Sequence, residues 1–312
     1  MKFPIFDGHC DTACGLLHRH NELYANDQQV DLVRAQKLDG YAQFFALWTA
    51  APYQQLTQAE QLSQMYHNLM TQLERNHAHI RLCLTDREIE SAWAQGKMAA
   101  LLSIEGAEGI NCDPGLLEQA WHMGVRMISL TWNHENALAG YHGTDVGLSE
   151  QGRAFVRRAQ RLGMLIDVSH LSDRGFWDLC DITEGPIVAS HSNARAVCGH
   201  SRNLTDDMFR QIIRTGGTTG LNMFGLFLTE GERCTMNDVL RHVDHFLSIE
   251  GGEKHVSLGG DLDGCSVLPE PMTGVDGYAA LIEALLAHGL PEQTVADISY
   301  HNFMEVFHTC SI

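Results

Sequence analysis

Met164-Leu165-Ile166-Asp167-Val168-Ser169-His170, followed by the helical pattern Ser172–Asp181 and then Ile187-Val188-Ala189-Ser190-His191, is the stretch that decides the fold. Its two short apolar runs have the composition of strands buried on both faces. Strands joined through a helix run parallel, because a parallel return needs a long crossover. Both runs end on a histidine, so this unit delivers two imidazoles to one edge of a parallel sheet.

Similar units repeat on either side. Further apolar runs stand at Phe3–His9, Ala42–Trp48, Met98–Ile104, Val125–Thr131, Thr218–Phe224 and Val256–Gly260. Helical patterns cover Gln58–Asn76, Asp86–Gln95, Pro114–Met123, Glu150–Leu162, Asp206–Arg214 and Asn237–Ile249, and two more, Gly277–His288 and Pro291–His308, close the chain. Ser149, Ser172 and Thr205 stand where N-caps are wanted, and Gly163 and Gly216 where a left-handed residue ends a helix. Eight strand–helix alternations predict an α/β fold, a (β/α)8 TIM barrel of the metal-dependent hydrolase type, with a doubly wound open sheet as the alternative. At 312 residues, with no repeat and no Gly-, Pro- or Ser-rich linker, the chain reads as one catalytic domain over 1–312.

Charge removes two classes of partner. With 39 acidic against 21 basic residues, the net charge of -18 repels nucleic acid and anionic membrane alike. No apolar run reaches the roughly 18 residues of a membrane span, and Met1-Lys2 through Asp7 meets a charge too early for a signal-peptide core. The expectation is a cytoplasmic protein whose nine cysteines, without a CxxC pair, are free thiols. Of 18 histidines, those at His67, His77, His79, His242 and His245 occupy exposed-looking helix positions.

In a parallel barrel, chemistry gathers at the C-terminal ends of the strands. Five of the eight predicted strands finish on His, Asp or Glu, around His9 and Asp11, Glu105, His170, His191 and Asp261. His9 and Asp11 are two apart on a strand and share a face, offering one nitrogen and one oxygen to a borderline cation such as zinc. Taken singly, each has an ordinary reading, as a core histidine, a cap or a buried acid paired with an arginine. Together they describe a centre for two metal ions, with Glu105 placed where a carboxylate can bridge. Asp261, between glycines and Leu262, is then best placed as a proton shuttle, and Asp263 as a turn residue. Arg202, eleven residues after His191, can hold a carboxylate in a bidentate fork. After Val125–Thr131, either Trp132 or His134 faces inward, and a neutral His134 would donate to a forming oxyanion. Asp167, an acid inside an apolar strand, receives no role.

Asp7-Gly8-His9-Cys10-Asp11, Glu105-Gly106, Leu165 through His170, Ser190-His191-Ser192, Arg202-Asn203 and Gly259-Gly260-Asp261-Leu262-Asp263-Gly264 together resemble the membrane (renal-type) dipeptidase family of zinc peptidases, peptidase family M19, within the amidohydrolase-like barrels. The motifs run in family order over nearly the whole chain. The resemblance implies that His9 and Asp11 hold one zinc ion, that His170 and His191 hold the other, and that Glu105 bridges the two ions. It implies that Asp261 is the acid/base residue, that Arg202 binds the C-terminal carboxylate of a dipeptide, and that the protein forms homodimers. The substrate-binding histidine of the animal enzymes aligns with Trp132, so either His134 replaces it or the contact is absent.

The function expected is dipeptide hydrolysis by a hydroxide bridging two metal ions about 3.5–4 Å apart. The alternatives are another binuclear amidohydrolase, either an N-acyl amino acid deacylase or a lactonase, and a non-enzymatic metal-binding barrel. The loops expected to set side-chain preference are about Tyr41–Gln55, Leu138–Gly147 and Phe224–Met236.

Overall fold

A computed structural model describes residues 3–49 and 55–311. Positions 50–54, within one of the loops expected to set specificity, lie outside the described residues, as do Met1, Lys2 and Ile312.

The strands are β1 (Ile5–Cys10), β2 (Tyr41–Trp48), β3 (Ile80–Leu82), β4 (Met98–Glu105), β5 (Val125–Ser129), β6 (Leu165–Asp167), β7 (Ile187–Ala189), β8 (Thr218–Leu221) and β9 (Val256–Leu258). All pair in parallel in the order β2-β1-β9-β8-β7-β6-β5-β4-β3, and β2 also pairs β4 from Ala42↔Ala99 to Trp48↔Glu105. That pairing bypasses β3 and closes an eight-stranded parallel barrel with helices between successive strands. The ninth strand, β3, is an addition the sequence reading lacked. It borders only the start of β4, while β5 pairs with the last part of β4 on the same side. Three residues with a half-exposed Arg81 leave no alternation to read.

Helices begin and end for the expected local reasons. Ser149, Ser172 and Thr205 each accept a backbone N–H from three residues on, from Gly152, Gly175 and Met208. Gly163 and Gly216 follow their helices at φ +79° and +72°, a region costly for a side chain. The C-terminal helical segment is regular at Glu292–Ala296 and Asn302–His308, with a π-helical turn at Asp297–His301 between.

The barrel divides its strands by position. Residues from the first half or middle of the strands, including Phe6, Phe44, Leu101, Met127, Leu165 and Val188, cluster with Phe303 and Phe307 of the last helix. Phe303 stacks on Phe6 at 4.6 Å between ring centroids, so that helix supplies rings to the barrel core. The opposite ends of the strands are thereby left to carry polar groups.

One histidine departs from its exposed-looking pattern. His242 is fully buried in helix Met236–Leu247. Its Nδ1 accepts the Ala194 N–H at 3.1 Å, and its Nε2 donates to the Leu228 carbonyl at 3.0 Å. The neutral ring thus ties together two loops that border the barrel mouth. Burial pushes its pKa down to about 4, below the unfolded value of about 6.5. The stabilisation is therefore complete above pH 6.5 and is lost as pH falls from 6.5 towards 4, because only the unfolded chain gains a proton there. Thermal denaturation between those pH values should show a loss on the order of 3 kcal/mol from this residue. His242→Gln should flatten that slope; an unchanged slope would place its origin elsewhere.

Candidate metal centre

Each strand delivers its polar side chain by a local device. In β1, Asp7 is buried and accepts the N–H of His9 at 3.0 Å and of Gly260, beyond β9, at 2.8 Å. Tyr278 and Tyr41 donate to its other oxygen. In β6, Asp167 accepts the N–H of Ser169 at 3.0 Å and of Ser190, beyond β7, at 2.9 Å. The same arrangement thus occurs twice: an acid near a strand end holds the backbone two residues on and stitches it to a neighbouring strand end. This is the role of Asp167, the residue that reading the sequence left unassigned.

The histidine tautomers follow from their partners. The Ser190 hydroxyl donates to Asp167 Oδ2 at 2.7 Å, so it accepts from His191 Nδ1, also at 2.7 Å. His170 Nδ1 donates to Asn133 Oδ1 at 2.9 Å. Both Nε2 atoms therefore carry bare lone pairs, yet they face each other at 3.0 Å. Glu105 Oε1 adds further lone pairs, 2.8 Å from His170 Nε2 and 3.7 Å from His191 Nε2. Burial, reinforced by the Arg202 and His9 charges, holds both imidazoles well below the usual histidine range, so they are neutral.

The other oxygen of Glu105 faces the other half of the site. Oε2 lies 3.4 Å from His9 Nε2, which is 3.6 Å from Asp11 Oδ1 and 4.0 Å from Asp261 Oδ1. His9 Nε2, Asp11 Oδ1 and Glu105 Oε2 are all buried without a hydrogen-bond partner. Ligand atoms of His9, Glu105 and His191 lie within 4.8 Å of one another, as do those of His9, Asp11 and Asp261. Burial, with the neighbouring acids, pushes Glu105 up to about 7 and Asp261 up to about 6. Burial alone would lower His9, but the Glu105 and Asp11 carboxylates overcome it and hold this imidazole well above the usual histidine range, so the acids draw positive charge into the site. A divalent cation meets that demand, and the N/O donor set suits a borderline ion. The residues fit a metal centre.

Asp261 is held with some backbone strain, at φ +54°, a region sparsely used by residues other than glycine. Its Oδ2 accepts from Asn222 Nδ2 at 3.0 Å. A Cβ at Gly264 would lie 2.2 Å from Asp11 Oδ2 and 2.4 Å from Asp261 Oδ1, so the glycine lets backbone lie against both acids. Asp263, at φ +68°, accepts from Thr12 and from the Gln29 N–H, as a turn residue does.

Arg202 is 3% exposed, buried rather than at the surface. Its Nη2 donates to His170 Nε2 at 3.1 Å, while Nε and Nη1 have no partner. Trp132 lines the cavity of about 600 Å³ over the site. His134 does not: it is half-exposed, with Nε2 3.1 Å from Glu108 Oε1. The expected oxyanion donor is thus not brought to the cavity; its ring pairs with Glu108 instead. Reading the sequence missed Asn133 and His142, and favoured packing over a pocket role for Asn222. His142 lines the cavity, donates from Nε2 to Asn133 Oδ1 at 3.1 Å and accepts from Ser201 at 2.8 Å. Only the position of Asn133 and Asn222 just past strand ends signals a role.

Comparison with known proteins agrees with this geometry. The family model described as membrane dipeptidase (peptidase family M19) matches residues 1–311. An uncharacterized dipeptidase of Schizosaccharomyces pombe is 28% identical, covering 98% of this chain and 81% of its own. A solved dipeptidase AC, a metallopeptidase of family M19, superposes with a TM-score of 0.89 at 30% identity over 99% of this chain and 100% of its own. A metallopeptidase from Rhodobacter sphaeroides, solved with a phosphinate mimic of the dipeptide L-Ala-D-Ala, has a TM-score of 0.90 at 28% identity, covering 99% of this chain and 100% of its own. With its closed barrel and its convergent His, Asp and Glu ligands, the chain belongs to the membrane dipeptidase family, peptidase family M19.

Proposed function

We propose that this chain, acting as a single catalytic domain, is a zinc-dependent dipeptidase that hydrolyses the amide bond of dipeptides. The observation that carries the reading is Glu105, whose two oxygens face two separate sets of potential ligand atoms. His9 and Asp11 would hold one ion, His170 and His191 a second, and Glu105 both. Two such ions supply Lewis acidity, polarising the amide carbonyl and lowering the pKa of water towards neutral.

The protein's own groups do the rest. Asp261, buried yet anchored by Asn222, accepts a proton from water at one oxygen and returns it to the leaving amine. Burial raises its pKa to about 6 without metal, and bound cations would favour the ionised form that accepts the proton. Arg202 offers its unpartnered Nε and Nη1 to the far carboxylate, which limits the substrate to one residue beyond the scissile bond. Among the described residues no helix is long and apolar enough to cross a membrane.

Elemental analysis should find about two zinc ions per chain. Chelation should abolish cleavage of Ala-Ala dipeptides and lower Tm, since bound metal stabilises only the folded chain, and zinc should restore both. Chelator-insensitive cleavage would overturn the reading. Cleavage of N-acetyl amino acids or lactones in preference to dipeptides would replace it with one of the related hydrolases.

A further inference from the structure

The cavity has two unlike walls. Beyond β1 its lining is largely polar and includes Cys14, His18, Arg19 and Gln28, while Trp48 at the end of β2 packs on Trp132 at 4.8 Å between ring centroids. Gln28 Nε2 is buried there without a partner. Beyond β7 and β8 the lining is Arg202 together with His200, Phe224, Leu226 and Phe227. Phe227 lies under the Arg202 guanidinium, 5.5 Å from ring centroid to Cζ, and packs on Phe224 at 5.0 Å and on His200 at 4.6 Å. His200 accepts the Arg202 N–H on Nδ1, so it too presents a neutral ring. Leu226, 61% exposed at the rim, extends this apolar wall outward.

Resting on the dipeptidase reading, we infer that this enzyme selects dipeptides whose C-terminal residue carries a bulky apolar side chain. The carboxylate of that residue is held by Arg202, so its side chain projects from a carbon one bond away, beside the aromatic wall. Arg202 is the one charged side chain on that wall among the described residues, and the substrate carboxylate already engages it. An acidic or basic side chain there would lose its hydration without gaining a partner, whereas Leu or Phe would cover Leu226, Phe224 and Phe227. The wall is placed by the machinery itself: Asn222, which anchors Asp261, accepts the Phe224 N–H on Oδ1 at 2.6 Å.

The test compares kcat/KM of the zinc-loaded enzyme on Ala-Gly, Ala-Leu, Ala-Phe, Ala-Asp and Ala-Lys, in the L and D series of the second residue. In whichever series is cleaved, Leu and Phe should exceed Gly, Asp and Lys by about 10- to 100-fold. Leu226→Arg changes an exposed position and so leaves the fold intact. It should move the Asp-to-Leu ratio towards Asp by about tenfold or more, by supplying the missing cation. A flat profile, or a ratio unmoved by Leu226→Arg, with dipeptides still cleaved, overturns this inference and leaves the dipeptidase reading standing. Cleavage of N-acetyl-leucine or a lactone but of no dipeptide overturns both.

Discussion

Asp261→Asn is expected to lower kcat about a thousandfold on any dipeptide the wild type cleaves, with the metal content unchanged. Asparagine keeps the size of the side chain and an oxygen for Asn222 Nδ2, and it tolerates the left-handed backbone at φ +54° better than alanine would. What it removes is the ability to carry a proton from water to the leaving amine. KM should change little, because Arg202 and the cavity walls are untouched. The metal measurement matters because Asp261 Oδ1 also lies near His9 and Asp11 ligand atoms. Full metal content with lost turnover fits a proton shuttle. Loss of an ion together with turnover would make Asp261 a ligand instead, and near-normal turnover would remove it from the chemistry altogether.

Glu105→Gln should be more severe. Its carboxylate supplies one oxygen to each half of the centre, Oε2 at 3.4 Å from His9 Nε2 and Oε1 at 2.8 Å from His170 Nε2. The amide offers one neutral oxygen and, in place of the other, an N–H2 group that repels a cation. We expect no more than one ion per chain after dialysis and a fall in kcat/KM of at least about a thousandfold, equivalent to several kcal/mol of lost electrostatic stabilisation. Circular dichroism should remain that of the wild type, because the barrel closes through β2 and β4 backbone pairing up to Glu105 itself. Two ions retained with activity intact would show that Glu105 is a buried acid with no part in the centre.

Much of this site was legible because a parallel barrel turns strand ends into neighbours. His9, Asp11, Glu105, His170, His191 and Asp261 are spread over 253 residues, yet each terminates or follows an apolar run, and that shared position is local information. Arg202 was legible only as a candidate, since nothing near it in the chain distinguishes a buried guanidinium from a surface one. His134 and Trp132 were not separable, because both lie in an irregular segment beyond β5 where strand alternation has stopped. His242 was misjudged for the related reason that a helix face shows its neighbours only after packing: its partners are the backbone of residues 194 and 228.

Local chemistry therefore set the elements, their parallel pairing and the identity of the metal-seeking side chains, all through periodicity, caps and strand ends, which depend on residues close in the chain. Tertiary structure alone decided what those side chains meet. The tautomers of His170 and His191 come from Asn133 and Ser190, the two-sided exposure of Glu105 from barrel closure, and the apolar wall beside Arg202 from the packing of Phe227 beneath it. Each of these depends on a contact between groups on different strands or loops, for His191 through Asp167, which orients the Ser190 hydroxyl, and such contacts exist only once the barrel has closed.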